Sequence, residues 1–300
     1  MTELHYLISP EWRTLPLSRV LRQGLGFSAL GLKSVRERGC VRLDGLISPL
    51  YQTPGSAERL SIVLPEDPPS EIEPVTGRLH LLYEDTHLLI VDKPAGMAVH
   101  PGPGHHGDTL GNLLMGHYAQ EGERHLFRPV NRLDRSTSGL MCVAKHAYAA
   151  ERLGSLAAEG RMTKEYLAIC EGLPSPLCGR IDAPIGRKDG SVLAREVRPD
   201  GKAAVTNYRL IAGFHGRSLV RLMPETGRTH QIRVHMAYLG HPILGDTVYG
   251  AKKPVPGLQG QCLHAVGLRF VHPRTGETVA LTCPLPEEFQ RELKKLEARR

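Results

Sequence analysis

Asp134 lies in the stretch Asn131-Arg132-Leu133-Asp134-Arg135-Ser136-Thr137-Ser138-Gly139, a carboxylate between two guanidinium side chains. Nearby cations favour the ionised form of a carboxylate, and an ionised carboxylate held in place can act as a nucleophile or a base. What would hold it is the next stretch. Leu140-Met141-Cys142-Val143-Ala144 is a short apolar run closed by Lys145-His146 and reads as a buried strand, so the polar stretch before it is a loop pinned to a sheet. Ser136, Thr137 and Ser138 carry hydroxyls able to bond a tight turn, and Gly139 is free to take a positive φ. For an isolated Arg-x-Asp-Arg the alternative stands beside this: a salt-bridged structural turn without chemistry.

Three further stretches carry reactive residue types. Lys93 places a cation at the end of the apolar run Leu88 to Val91, ahead of a turn shaped by Pro94 and Gly96, and it fits a structural or a substrate-facing role. Lys164 to Gly172 reads as a strand, in which Tyr166 is either a packed core residue with a bonded hydroxyl or a group facing substrate. In Pro224 to Met236, Thr229 is the expected N-cap of a helix carrying Ile232, Met236 and Leu239 along one face, with Gly240 and Pro242 closing it. Arg233 sits between apolar Ile232 and Val234, and a buried Arg needs a carboxylate partner.

Arg132 to Leu140, ending in Ala144-Lys145, resembles the catalytic signature of RluA-type pseudouridine synthases. Lys93 to Pro101, Lys164 to Tyr166 and Pro224 to Met236 are similar to further motifs of that family, in order, and the likeness continues through Gly240 to Gly250 and spans about Leu79 to Cys283. It implies an α+β fold with a mixed, mainly antiparallel central sheet and flanking helices. It also implies isomerisation of uridine to pseudouridine in RNA, without metal, nucleotide or redox cofactor. Asp134 would be the nucleophile, Tyr166 would lie against the target base and aid proton transfer at C5, and Arg233 would pair with Asp134. Arg132 would fill the space the base vacates, with Arg135, Lys93, Arg228 and Ile232 as further substrate or RNA contacts. Asn131 stands where the family more often has His.

The elements around these stretches divide the chain into three parts. Residues 1–64 carry Arg19, Arg22, Lys33, Arg36, Arg38 and Arg42 among apolar positions, a helix expected over Leu32 to Arg38, and a hairpin turn at Asp44-Gly45. The layout resembles an S4-type RNA-binding domain; a generic small α+β domain with a solvated basic face is the alternative. Residues 65–77, dense in Pro and acidic residues, read as a stiff linker, and 78–300 as the catalytic domain. In the latter, Asp108 is the expected cap of a helix carrying Leu110, Leu113, Leu114, His117 and Tyr118, and Pro286 to Arg300 is an amphipathic helix.

Composition bounds the partners. Among 300 residues, 38 Lys and Arg against 31 Asp and Glu leave a net charge of +7, which suits a polyanion. Aromatics at 5% argue against a broad base-stacking platform. The start Met1 to Tyr6 lacks a signal-peptide pattern and no run approaches a membrane span, so a cytoplasmic monomer acting on RNA is expected, ribosomal RNA ahead of transfer RNA. Six scattered cysteines form no Cys-x-x-Cys pair. Gly102-Pro103-Gly104-His105-His106-Gly107 matches G-x-G-x-x-G in form, but Pro103 removes a backbone N–H from any phosphate cradle. His230 and His235 lack an H-E-x-x-H frame and read as structural hydrogen-bonding groups. Two other classes remain open: a non-catalytic RNA-binding or ribosome-assembly factor, and an unrelated hydrolase pairing Asp134 with a histidine.

Overall fold

The structure, a computed structural model, describes residues 2–250 and 253–298, so the expected helix end at Arg300 lies outside the described residues. A small N-terminal sheet contains β1 (Glu3–Leu7), β2 (Cys40–Leu43), β3 (Leu46–Ile47) and β4 (Arg59–Val63), in the order β1-β4-β2-β3. Against it pack a helical turn, α1 (Leu17–Arg19), continuing as a π-turn over Val20–Gly24, and α2 (Ala29–Arg38), capped by the Ser28 hydroxyl. Between β2 and β3 both Asp44 (φ 45°) and Gly45 (φ 86°) are left-handed, as a two-residue hairpin of matching twist requires. The Asp44 carboxylate accepts the Arg59 N–H at 2.9 Å, which explains a non-glycine residue there.

The main sheet has ten strands. Its hairpin β5 (Leu81–Glu84) and β6 (Leu88–Lys93) is followed by α3 (Leu110–Gln120), the two-residue β7 (Arg128–Pro129), β8 (Ser138–Ala144), α4 (Ala147–Ala158) and β9 (Thr163–Glu171). Next come β10 (Cys178–Asp182), the small pair β11 (Ile185–Arg187) and β12 (Arg195–Val197), β13 (Val205–Phe214), β14 (Arg217–Pro224) and α5 (Gln231–Tyr238). The chain closes with β15 (Leu263–Val271), β16 (Thr278–Thr282) and α6 (Glu287–Glu297). The path runs β10-β13-β14-β9-β15-β8-β6-β5, with β16 added beside β15 and β7 beside β8. Only the β8–β15 pairing is parallel among those ladders, so the sheet is mixed and mainly antiparallel, as expected.

Both faces of the central strands are buried, which is why β6 and β8 read as continuous apolar runs rather than alternating ones. Leu89, Val91, Met141 and Val143 point to the face covered by α3 and α5, while Leu88, Ile90, Leu140 and Cys142 point to the face covered by α4. Burying each such side chain contributes about 1.5–3 kcal/mol.

Two expected caps are displaced by one residue. Asp108 instead bonds His105 at 2.7 Å, and Thr109 caps α3, exchanging bonds with Asn112. At α5 the residue before the first turn is His230, not Thr229, and it is left-handed. The proline-dense stretch 65–77 is no free spacer. Asp67 pairs with Arg128, the Asn112 side chain donates to the Glu73 carbonyl at 2.9 Å, and Val75 N–H bonds the Asn112 carbonyl at 3.0 Å. A Cβ at Gly116 would stand 2.1 Å from the Val75 carbonyl oxygen, so glycine lets this strap lie flat on α3. The N-terminal unit also shares its core with the rest of the chain. Tyr148 of α4 stacks on Phe27 with ring centres 4.3 Å apart and donates to the Leu25 carbonyl at 2.8 Å.

Candidate active site

Asp134 stands on the loop between β7 and β8, and several independent ties hold that loop. The Asn131 side chain donates to the Leu140 carbonyl at 3.2 Å and accepts the Cys142 N–H at 2.8 Å, stapling the loop's start to β8. Thr137 N–H returns to the Asp134 carbonyl at 3.0 Å, and Gln261 donates to the Thr137 hydroxyl at 2.8 Å. Gly139 (φ 111°) then enters the parallel pairing with β15, where a Cβ would meet the Ala265 carbonyl oxygen at 2.3 Å. Gly139→Ala is therefore expected to destabilise the fold by about 3 kcal/mol or more, read as a lower denaturant midpoint with an unchanged slope. A loss under about 1 kcal/mol would contradict this close approach.

Lys93, expected among the RNA contacts and also open to a structural role, lies buried in the structure. It is 0% exposed, and its ammonium donates to the carbonyls of Pro94, Met97 and Arg135 at 2.8, 2.9 and 3.1 Å. It thus ties the turn after β6 to the Asp134 loop, and Arg135 reinforces the tie by donating to the Gly96 carbonyl at 2.9 Å. Burial brings the Lys93 value down to about 7, against the opposing pull of Asp134 and Asp92. Between about pH 7 and the ordinary lysine value the unfolded chain binds more protons than the folded one, so stability should rise with pH across that window. Thermal unfolding of wild type and Lys93→Met checks this: the wild-type midpoint should gain on the variant's from pH 7 to 10, and parallel curves would contradict it.

The Asp134 carboxylate, 24% exposed, faces a cleft of about 760 Å³, within the range of small-molecule sites. On its inner side Arg233 Nη1 donates to Asp134 Oδ2 at 3.1 Å. The same guanidinium donates through Nε and Nη2 to the two oxygens of Asp246, at 2.7 and 3.0 Å. Asp246 is fully buried and also accepts the N–H groups of Val248 and Tyr249 at 3.0 and 3.1 Å. Burial works to lower the Arg233 value, but the bonds and charge of Asp246, then Asp134, outweigh it and raise the value. Asp246 was not singled out in the sequence; the Gly245-Asp246 turn after α5 is the only local sign of it.

Tyr166 lines the same cleft from β9, 7% exposed, and its hydroxyl has no hydrogen-bond partner among the described residues. Burial, and next the Asp134 charge, push its phenol well above the usual tyrosine range, so it enters as the neutral O–H form. Arg132, Arg228 and Ile232 also border the cleft, together with Arg187, Arg195 and Lys202. Arg132 and Arg228 are both exposed, and Arg228 is tethered by Nε to the Ala203 carbonyl at 2.9 Å. Arg135, like Lys93, does not border the cleft; it turns toward Gly96. His230, read from the sequence as a structural group, does bond Tyr249, but its ring also borders the cleft 3.9 Å from Asp134.

Residues 87–238 match the RNA pseudouridylate synthase family, a span that holds Asp134, Tyr166 and Arg233. The chain is 43% identical over 235 residues to an uncharacterized RNA pseudouridine synthase, YlyB, of Bacillus subtilis, covering 77% of each chain. The chain belongs to the RNA pseudouridylate synthase family. Another family member, ribosomal large subunit pseudouridine synthase D of Vibrio parahaemolyticus, is 42% identical over 223 residues, 70% of this chain and 68% of that one. Among solved structures, human RNA pseudouridylate synthase domain containing 4 superposes with a TM-score of 0.59 at 28% identity, covering 73% of this chain and 93% of that one. This RNA pseudouridylate synthase thus carries the family's main sheet and, N-terminal to the matched span, the small sheet built on β1 to β4.

Proposed function

We propose that this synthase isomerises uridine to pseudouridine in ribosomal RNA, with Asp134 as the nucleophile. The observation that carries the reading is a carboxylate open to a cleft on one side and bonded to a buried, carboxylate-held Arg233 on the other. In the reaction the N1–C1′ bond breaks, uracil turns, and C5 bonds C1′; the C5 hydrogen leaves as a proton and N1 takes one up. Atoms and oxidation state are conserved, so the balance calls for no redox partner. The Tyr166 hydroxyl, neutral and lacking a protein partner, can relay the C5 proton, passing on its own as it takes one up. A uridine must leave its stack to reach a loop-borne carboxylate, at a cost of a few kcal/mol that favours unpaired sites. Exposed Arg132 can fill the gap, stacking and bonding phosphate with one planar cation.

The RNA class is supported by the relatives named for the large ribosomal subunit and by the basic cleft. On this proposal residues 1–64 form an S4-like RNA-binding domain, 65–77 a connecting strap and 78–300 the catalytic domain, acting as a cytoplasmic monomer. Pseudouridine mapping in cells with and without the gene tests the substrate: a ribosomal position should lose its signal, and a loss confined to transfer RNA would contradict the assignment. Lys33, Arg36 and Arg38 lie exposed on α2. Changing all of them to Glu should raise KM for structured RNA roughly 10-fold at low salt and flatten its salt dependence, with kcat kept. Unchanged KM would remove the N-terminal unit from RNA binding.

A further inference from the structure

His230 is one of two described non-glycine residues with a positive φ, at +57°, a conformation that persists only where its surroundings hold it. The hold is visible. His230 Nδ1 lies 2.8 Å from the Tyr249 hydroxyl oxygen, and that oxygen accepts the Arg195 N–H at 2.8 Å. Among the described residues the phenol hydrogen has one acceptor in reach, His230 Nδ1. A ring that accepts at Nδ1 carries its proton on Nε2 when neutral. Burial, opposed by Asp134, lowers the His230 value and favours that neutral ring. Nε2–H then points into the cleft. Its nearest carboxylate is Asp134 Oδ2 at 3.9 Å, beyond hydrogen-bond reach, so the donor is left for whatever binds beside the nucleophile.

We propose that His230 is a specificity residue: its Nε2–H, fixed by Tyr249, donates to a carbonyl oxygen of the target uracil. The inference rests on the isomerase reading above and adds to it the recognition of the base. A fixed N–H donor favours a carbonyl over an amino group, so at C4 it would separate uracil from cytosine, while at C2, where both bases carry a carbonyl, it would orient the ring. Asn tolerates the left-handed backbone while withdrawing the ring, which makes His230→Asn the informative variant.

The test uses the full-length protein and a short synthetic RNA with uridine, 2-thiouridine or 4-thiouridine at the mapped target position. A thiocarbonyl is a poorer acceptor than a carbonyl. Wild type should turn over one of the two thio-RNAs roughly 10-fold more slowly than uridine RNA, and which one names the oxygen read. His230→Asn should be roughly 10- to 100-fold slower on uridine RNA and lose the distinction between uridine and that thio-RNA. Tyr249→Phe, which keeps the His230 ring and removes the hydroxyl that fixes it, should shrink the same distinction and serves if His230→Asn does not fold. If wild type forms pseudouridine but His230→Asn stays within about twofold of it, or all three RNAs slow by one common factor, the inference fails and the isomerase reading stands. If wild type forms no pseudouridine on any RNA, the isomerase reading fails first.

Discussion

Asp134→Asn should release no measurable tritium from RNA labelled at uridine C5, a fall of at least roughly 10⁴-fold, while RNA affinity stays within about threefold of wild type. An amide is nearly the same size as the carboxylate, and its oxygen can still accept from Arg233 Nη1, so the loop keeps the bond seen at 3.1 Å. What it loses is nucleophilicity. On the proposed reading, binding comes from distributed cations, among them Arg132, Arg187, Arg195 and Arg228 bordering the cleft, and none of these is altered. Residual turnover at a tenth of the wild-type rate would take the nucleophile's role away from Asp134.

Arg233 gives the second large effect, and it divides into two measurements. The guanidinium spends two N–H groups on a fully buried Asp246 and a third on Asp134, a fork that an ammonium cannot reproduce. Arg233→Lys should therefore lower kcat roughly 10²- to 10³-fold with the fold retained. Arg233→Met should cost about 3–5 kcal/mol of stability, because it leaves a buried carboxylate without its partner. Changing Asp246→Leu in the same protein removes that stranded charge and should return most of the stability without the activity. If Arg233→Lys keeps wild-type kcat, Arg233 serves the fold and not the reaction.

The sequence made the site's framework legible where one physical rule dominates. Continuous apolar runs gave β6 and β8, the Asp44-Gly45 pair gave the N-terminal hairpin, and an apolar-flanked Arg233 implied the carboxylate it was found to bond. What stayed hidden depends on partners distant in the chain. In sequence Lys93 fits a structural or a substrate-facing role equally, and only the carbonyls of Pro94, Met97 and Arg135 converging on it show it buried as a tie. Asp246 becomes Arg233's main partner only because the chain turns back after α5. Tyr148 opens α4 like any helix aromatic, yet its ring lies in the core of the N-terminal unit. His230 carries no local mark of its left-handed backbone, which Tyr249 supports from another turn. At α3 the capping pattern was readable: Thr109 with Asn112 three residues on makes the reciprocal cap, whereas Asp108 has His105.

The most direct measurement is a stoichiometry. Wild-type protein is incubated with a ribosomal RNA transcript labelled with tritium at uridine C5, and tritium released, pseudouridine formed and free uracil are counted together. The account predicts one tritium released for each pseudouridine formed, with no free uracil, because the base turns within the Asp134 cleft and is rejoined to its own ribose. Uracil set free without pseudouridine, or RNA bound with neither product, would contradict it.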